Sequence, residues 1–212
     1  MDRDQTLTSS IFYVYKNALY VNVTSRCPCA CRFCIKFSWD YKFRGYDLKL
    51  ADDPSIERVL SEIPADLKEF DEVVYCGYGE ATYRLSDMPV FSSAFRKRGA
   101  RRIRLNTIGL GNLIHGRDIV PELRPYVDAV SVSLNTLDPQ KYIELVRPLP
   151  EYREKALESA KAFCRSCVKH IPETTLTTLD HPDFNAKAVE EFAVSIKAKF
   201  NLRAYLSEHE ER

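Results

Sequence analysis

The sequence is most informative at Val23-Thr24-Ser25-Arg26-Cys27-Pro28-Cys29-Ala30-Cys31-Arg32-Phe33-Cys34. This segment holds four of the chain's seven cysteines, an arrangement that is poor for disulfides but suits a metal or an iron–sulfur cluster. Cys27, Cys31 and Cys34 have the spacing C-x3-C-x2-C, which puts three thiolates on one tight loop. Three thiolates can ligate three irons of a [4Fe–4S] cluster and leave the fourth iron open, as reactive metal sites require. We therefore expect the three cysteines to bind such a cluster.

The spacing alone leaves two other uses of these cysteines open. A zinc ion could be bound by Cys27, Cys29, Cys31 and Cys34, although zinc ligands usually come from two separated segments and these lie close together. A fully ligated, ferredoxin-like cluster is the second alternative. In the open-cluster interpretation Cys29 is a spacer residue, because a fourth thiolate would close the open iron.

The composition is that of an ordinary globular protein. The chain has 212 residues, of which 45% are hydrophobic and 29% charged, and this length suits one domain. We expect the polar residues 1–10 to be disordered and residues 11–212 to form a single domain. The net charge of +1 gives no reason to expect a nucleic acid or an anionic membrane as partner.

The chain contains no stretch that is typical of a membrane span or a signal peptide. The early apolar residues 11–23 are interrupted by Lys16, Asn17 and Asn22. They are too short and too polar to cross a bilayer, and they lack a basic leader and a cleavage site. We therefore expect a cytoplasmic protein, in which the thiols stay reduced.

Strand-like runs alternate with helical patterns along the chain. After a hairpin-like pair at 11–15 and 18–24, strands are predicted at 72–76, 102–106, 129–134, 174–179 and 202–206. Helices are predicted from Asp53-Pro54, with Asp53 as the N-cap, and at 87–98, 115–123, 139–146, 152–169 and 186–200. Six strands separated by helices indicate parallel units of an α/β fold, a partial (β/α)6 TIM-like barrel. Its active site is expected at the carboxyl ends of the strands.

A glycine-rich motif with one carboxylate follows the strand at 72–76. It reads Gly77-Tyr78-Gly79-Glu80-Ala81-Thr82. Glycines permit close approach of a backbone to a ligand, and Glu80 could pair with a cationic amino group. The cysteine loop after one strand and this motif after the next resemble the radical S-adenosylmethionine (SAM) superfamily. More narrowly, residues 18–34, 71–82, 104–120 and 130–135 resemble short radical SAM proteins that are associated with TatD-type metal-dependent hydrolases.

The resemblance implies roles for individual residues. Cys27, Cys31 and Cys34 would ligate the cluster, and Phe33 would lie beside the adenine of SAM. The residues that would bind the rest of SAM are Gly77, Gly79 and Glu80 at its amino group, and Asn106, Ser133 and Asn135 at its ribose or carboxylate. The sequence has Ala81 where proline is commoner and Ile108 where asparagine is commoner. Neither change removes a ligand, so SAM binding is expected.

The resemblance also implies the chemistry. SAM would be cleaved reductively at the cluster to a 5′-deoxyadenosyl radical, which abstracts hydrogen from a substrate. An external one-electron donor of flavodoxin or ferredoxin type would supply the electron, because no second cluster is evident. A small-molecule or nucleotide substrate is expected, as in the compact 7-carboxy-7-deazaguanine synthases. The alternatives are a glycyl-radical activase that acts on a partner protein, and a non-catalytic iron–sulfur or zinc interaction protein, which would not need the Glu80 motif.

Several other residues are candidates on weaker grounds. Cys27, Glu80, Asn106 and Asn135 all come directly after predicted strands, which agrees with a site at the carboxyl ends. The candidate catalytic residues outside the motifs are His115, because histidine is a common proton donor, Arg117, and Arg147, which could pair with a carboxylate.

Three further features have a structural interpretation beside a functional one. The basic and aromatic residues of 36–44 could stack and pair with a nucleotide or nucleic acid, but we expect them to shield the cluster from water. Cys164 and Cys167 form a C-x-x-C on the apolar stripe of a predicted helix, where core packing is expected. Cys76 is likewise expected to be buried.

Overall fold

The computed structural model describes residues 10–206. The expectation that residues 1–10 are disordered therefore lies, except for residue 10, outside the described residues. The strands are β1 (Phe12–Tyr15), β2 (Ala18–Val21), β3 (Lys42–Phe43), β4 (Tyr46–Asp47), β5 (Glu72–Tyr75), β6 (Ile103–Thr107), β7 (Ala129–Ser133), β8 (Glu173–Asp180) and β9 (Lys199–Ala204). The α-helices are α1 (Ile35–Ser38), α2 (Ile56–Glu62), α3 (Met88–Lys97), α4 (Gly111–His115), α5 (Val120–Leu123), α6 (Pro139–Val146), α7 (Ala156–His170) and α8 (Ala186–Ser195). A 3-10 helix covers Ala81–Arg84.

The central sheet has seven strands in the order β1-β2-β5-β6-β7-β8-β9. β1 pairs with β2 antiparallel, as the hairpin-like pattern predicted. Every other neighbouring pair in this sheet is parallel, from β2–β5 to β8–β9. The six predicted parallel strands and the partial-barrel fold class are therefore confirmed. All parallel strands end at one edge, where β2 leads into the cysteine loop and β5 into the glycine motif.

The alternation of side chains along the strands separates an apolar face from a polar one. On β7, Val130 and Val132 are buried in the main core, whereas Ser131 and Ser133 point to the opposite face and line a pocket. On β5, Tyr75 packs towards α3, where its hydroxyl bonds to that of Ser92 at 2.8 Å. The helices thus cover the apolar face, and the polar face lines the interior of the barrel. The main core draws residues from both ends of the described chain, and the expectation of a single domain stays a prediction.

The structure corrects three predicted boundaries. The predicted helix at 115–123 is two short helices, because Gly116 takes a left-handed conformation with φ of 64° and ends α4. The N-cap of α2 is Ser55 and not Asp53, whose carboxylate instead accepts a hydrogen bond from Thr24. The predicted helix at 186–200 ends at Ser195, since a turn with Lys197 at φ of 64° leads directly into β9.

The basic and aromatic segment after the cysteines folds as α1 and the small hairpin β3–β4. Trp39 is 2% exposed and stacks on Phe43. The same hairpin packs against a small apolar cluster of Tyr13, Leu48 and Tyr78. Most of its aromatic rings therefore serve packing and are not free to stack with nucleotide bases. Within residues 10–206, no helix has the length and apolar character needed to cross a membrane.

Candidate active site

Glu80 is a buried carboxylate at the carboxyl end of β5, with 2% of its surface exposed. Its Oε1 accepts hydrogen bonds from the hydroxyls of Thr82 and Thr107, both at 2.8 Å, and from the Thr82 amide at 3.3 Å. Its Oε2 accepts one bond, from the Ile108 amide at 2.9 Å. Burial raises the pKa of Glu80, and these donors oppose that shift. Oε2 keeps acceptor capacity for one further donor.

The two glycines of the motif are required by contacts within the protein. A Cβ at Gly77 would lie 2.0 Å from Oδ1 of Asn22, and a Cβ at Gly79 would lie 2.2 Å from the Thr24 carbonyl oxygen. The Glu80 amide donates to the Arg26 carbonyl at 2.8 Å. The glycines therefore let the motif pack directly on the segment that leads to the cysteines, which is a reason for glycine that the sequence did not reveal.

The cysteine loop is fixed on its other side by the end of α6. The Ala30 amide donates to the Arg147 carbonyl at 3.0 Å, and the Leu149 amide donates to the Pro28 carbonyl at 2.9 Å. Arg147 has a left-handed φ of 48° at the C-cap of α6. The loop is thus held between two segments far apart in sequence, which restricts the positions that its thiols can take.

The four cysteines of the loop differ in their surroundings. Cys27, Cys31 and Cys34 are partly exposed, whereas Cys29 is 6% exposed and belongs to the main core. A hydrogen bond from the Cys29 thiol raises the pKa of Cys29 and lowers that of Cys31. Burial, together with the nearby Glu80 carboxylate, raises the pKa of Cys27 to about 12. Cys29 is therefore separated from the other three by its burial.

Two further buried polar groups face this loop. The Lys36 ammonium is 8% exposed, donates to the Tyr78 carbonyl at 3.4 Å, and favours the thiolate forms of Cys31 and Cys34. The Tyr142 hydroxyl is buried and has no hydrogen-bond partner within the described structure, and its pKa is raised by burial and by the nearby Cys29 and Cys31. Both groups would favour negative charge on the loop.

These features fit an iron–sulfur cluster bound through three thiolates. The three partly exposed thiols lie on a fixed loop, a buried cation is close to them, and an unpartnered hydroxyl donor faces them. Among the described residues, no three His, Cys, Asp or Glu side chains are placed to hold a single metal ion. The irons of a cluster occupy different corners, so its thiolate ligands stand further apart than the ligands of one ion.

A pocket opens beside Glu80 on the polar face of the sheet. It encloses about 500 Å³ outside the protein atoms, part of it open to solvent. The sequence-predicted residues that line it are Gly77, Gly79, Glu80, Asn106 and Ser133. The lining also includes side chains that were not predicted as site residues, among them Cys76, Ser131, Thr177 and Arg203. Cys76 is partly exposed there, so its predicted burial in the core was wrong.

Other predicted site residues lie outside the lining of this pocket. Asn135 is 1% exposed and binds within the protein, donating to the Ser133 hydroxyl and accepting from the Leu179 amide. Phe33 is half-buried, and its ring packs edge-on against Phe184 with centroids 5.1 Å apart.

The candidate catalytic residues are also placed elsewhere. His115 bonds through Nε2 to the Thr82 carbonyl at 2.7 Å, and Arg117 pairs with Glu122 on the surface at 2.6 Å. Arg147 contributes its carbonyl to the cysteine loop, as described above. The structure therefore gives all three a structural contact and brings none of them into the pocket lining. Cys164 and Cys167 are fully buried, in agreement with their predicted packing in the core.

Sequence reasoning missed Tyr142 and Arg203 as parts of the site, as it missed Ser131 and Thr177, and it predicted Lys36 only as part of the segment that shields the cluster. Arg203 carried a usable signal, because a charged side chain inside a strand needs a partner. The Tyr142 hydroxyl carried no signal in the sequence, because its burial depends on how α6 packs.

Comparisons with known proteins agree with this fold. The fold is similar to that of native anSMEcpe with bound AdoMet, with a TM-score of 0.66 and 15% identity over 89% of this chain and 52% of that one. It is also similar to a radical SAM methyltransferase from Sphaerobacter thermophilus, with a TM-score of 0.59 and 16% identity over 93% of this chain and 69% of that one. A third similar structure is TYW1 with a lysine–pyruvate adduct bound, with a TM-score of 0.57 and 16% identity over 92% of this chain and 66% of that one.

At these identities the likeness to solved structures concerns the fold alone, and the chain spans only part of the length of each. No curated protein matches the chain. The protein-family model for the radical SAM superfamily matches residues 21–196, which is more than half of the chain and includes both the cysteine loop and the Glu80 motif. The chain therefore belongs to the radical SAM superfamily, whose domain binds a [4Fe–4S] cluster and SAM.

Proposed function

We propose that this enzyme cleaves SAM reductively at a cluster bound by Cys27, Cys31 and Cys34, and abstracts hydrogen from a small-molecule or nucleotide substrate. The observation that carries the proposal is the direct packing of the Glu80 motif on the cysteine loop, with Glu80 donating its amide to Arg26 at 2.8 Å. When bound, the cluster and SAM supply one-electron cleavage chemistry that the protein side chains cannot perform.

The chain's own residues position and shield these groups. Oε2 of Glu80, which accepts only one hydrogen bond from the described residues, would accept another from the amino group of SAM. Asn106 and Ser133, across the pocket, would bond the ribose or the carboxylate of SAM. Phe33 would contact the adenine with the ring face that Phe184 leaves free. The α1 helix and the β3–β4 hairpin would keep water from the loop.

We also propose a subgroup, a compartment and an electron donor for this enzyme. Resemblance over the motif segments supports membership of the TatD-associated group, and hence a functional link to a TatD-type hydrolase. All seven cysteines are free thiols, which supports a reducing compartment such as the cytoplasm. An external flavodoxin- or ferredoxin-type protein would supply the electron. None of the described contacts favours the glycyl-radical activase over a small-molecule enzyme.

Anaerobic reconstitution of cysteine variants tests the proposal. Cys27→Ala, Cys31→Ala and Cys34→Ala should each lose most of their iron and all reductive cleavage of SAM, whereas the matched core variant Cys164→Ala should keep both. Cys164 is suited as the control because it is fully buried in α7 and is not part of the cysteine loop. If iron and SAM cleavage survive in any of the three loop variants, the proposed ligand set is wrong.

A further inference from the structure

Arg203 is a cation in the lining of the pocket, on the last strand of the sheet. Its Nη2 donates to the hydroxyl of Ser133 on β7 at 3.1 Å. The Ser133 hydroxyl also accepts from the side chain of Asn135 at 3.2 Å. The guanidinium is therefore held at a defined place on the polar face of the barrel, and the described residues accept from only one of its five N–H donors.

No described carboxylate pairs with Arg203. The neighbouring Arg104 is different, because it pairs with Glu72 at 2.6 Å, and Glu72 also binds Arg102 at 3.2 Å. Glu80, the acidic residue in the pocket lining, already accepts four hydrogen bonds from its own neighbours. Within residues 10–206, Arg203 is therefore a pocket cation whose charge no acid offsets.

Arg203 is exposed as a whole residue, which leaves its guanidinium accessible to a ligand. Desolvation by the surrounding atoms and the charge of Arg104 lower the pKa of this guanidinium. The groups that best match its geometry are carboxylates and phosphates, which it binds bidentately. An anion that enters the pocket would supply the counter-charge that the described residues do not.

We propose that the pocket recognises its substrate through an anionic group, a carboxylate or a phosphate, that binds the Arg203 guanidinium, which Ser133 holds in place. This inference rests on the proposed function. SAM has a carboxylate of its own, and Ser133 is proposed above to bind either that group or the ribose. Of the two we assign the ribose to Ser133, because the carboxylate of SAM would be held at the open iron of the cluster, and the lining that includes Arg203 contains none of Cys27, Cys31 and Cys34. The anion at Arg203 is therefore assigned to the second reactant.

The test uses reconstituted enzyme saturated with SAM and two probes, inorganic phosphate and acetate, titrated calorimetrically at constant ionic strength. The wild type should bind at least one probe saturably, and the probe that binds identifies the class of anion. Arg203→Met should weaken that binding roughly tenfold or more, Arg203→Lys should weaken it less, and the surface variant Arg153→Met should leave it unchanged.

Affinity for SAM, measured on the same samples, separates the two sources of an anion. It should change less than about twofold in Arg203→Met if the guanidinium serves the substrate. A loss of SAM affinity in this variant would assign Arg203 to the carboxylate of SAM and overturn the inference. Equal probe binding by wild type and Arg203→Met, or no probe binding by the wild type, would overturn it too. Failure to take up iron or SAM would instead contradict the proposed function.

Discussion

The Glu80 amide donates a hydrogen bond to the Arg26 carbonyl at 2.8 Å, and this bond joins the two motifs of the site. Arg26 directly precedes the first cysteine of the loop, and Glu80 carries the buried carboxylate. Since Gly79 packs on the Thr24 carbonyl beside this bond, the two segments pack directly on each other. A substitution in either segment should therefore perturb the structure of the other.

Gly79→Ala tests the packing of the glycine motif on the segment before Cys27. Its Cβ would lie 2.2 Å from the Thr24 carbonyl oxygen, a backbone atom that cannot move aside alone. We expect a loss of about 1–3 kcal/mol in the free energy of unfolding, the usual cost of overpacking, and a fall in iron content after reconstitution. Urea denaturation and iron analysis measure the two effects. Gly45→Ala, whose Cβ would have no atom within 4 Å, should keep its iron, and loss of iron in both variants would contradict the account.

Glu80→Gln tests the charge of the buried carboxylate in the apoprotein. Burial raises the pKa of Glu80 above its ordinary value of 4.5. An acid whose folded pKa is raised contributes stability that is complete below the unfolded pKa and is lost as pH rises through the folded pKa. The free energy of unfolding of the wild type should therefore fall relative to Glu80→Gln as the pH rises above 4.5. Urea titrations from acid to neutral pH measure this difference, and an opposite slope would show that the donors lower the pKa instead.

Cys29→Ala tests the division of roles within the loop. Cys29 is buried in the main core, unlike the three partly exposed cysteines, so it should not be needed for iron binding. The variant should keep about four irons and still cleave SAM. Iron analysis and a SAM-cleavage assay check both. Loss of the cluster in Cys29→Ala would show that Cys29 is a ligand and that no iron is left open for SAM.

Tyr142→Phe tests whether the unpartnered hydroxyl serves the cluster. In the apoprotein its removal should be neutral or stabilising by up to about 1 kcal/mol, because a buried unsatisfied group is lost. Tyr75→Phe is the matched control, since that hydroxyl bonds to Ser92 at 2.8 Å and its loss should cost about 1 kcal/mol. In the reconstituted protein, only Tyr142→Phe should lower the reduction potential. An unchanged reduction potential in Tyr142→Phe would mean that the Tyr142 hydroxyl does not interact with the cluster.

The sequence predicted what depends on local patterns. Runs of apolar residues predict the strands. Cys27 and Glu80 each come after such a run, so the local sequence is enough to place both residues at strand ends. The break at Gly116 was missed because the apolar pattern continues across it, and only the left-handed φ ends the helix. Asp53 fits the local pattern of an N-cap. Its hydrogen bond with Thr24 joins residues that are far apart in sequence, so no local pattern indicates it.

The parts of the site that were missed depend on contacts between distant strands. Arg203 reaches the pocket only because the sheet places β9 beside β8 and curls its polar face towards Cys76. His115 is a candidate because histidine is a common proton donor, but its ring bonds to the Thr82 carbonyl, a contact set by how α4 packs on the 3-10 helix. Residue type alone could not distinguish these two outcomes.

The central claim is tested most directly by metal analysis and EPR of protein that is reconstituted without oxygen. The account predicts about four irons per chain, no stoichiometric zinc, and a reduced-cluster spectrum that changes when SAM is added. Such a change would show that one iron is open to SAM. One zinc without iron, or an iron signal that is indifferent to SAM, would mean that the site is closed and would contradict the account.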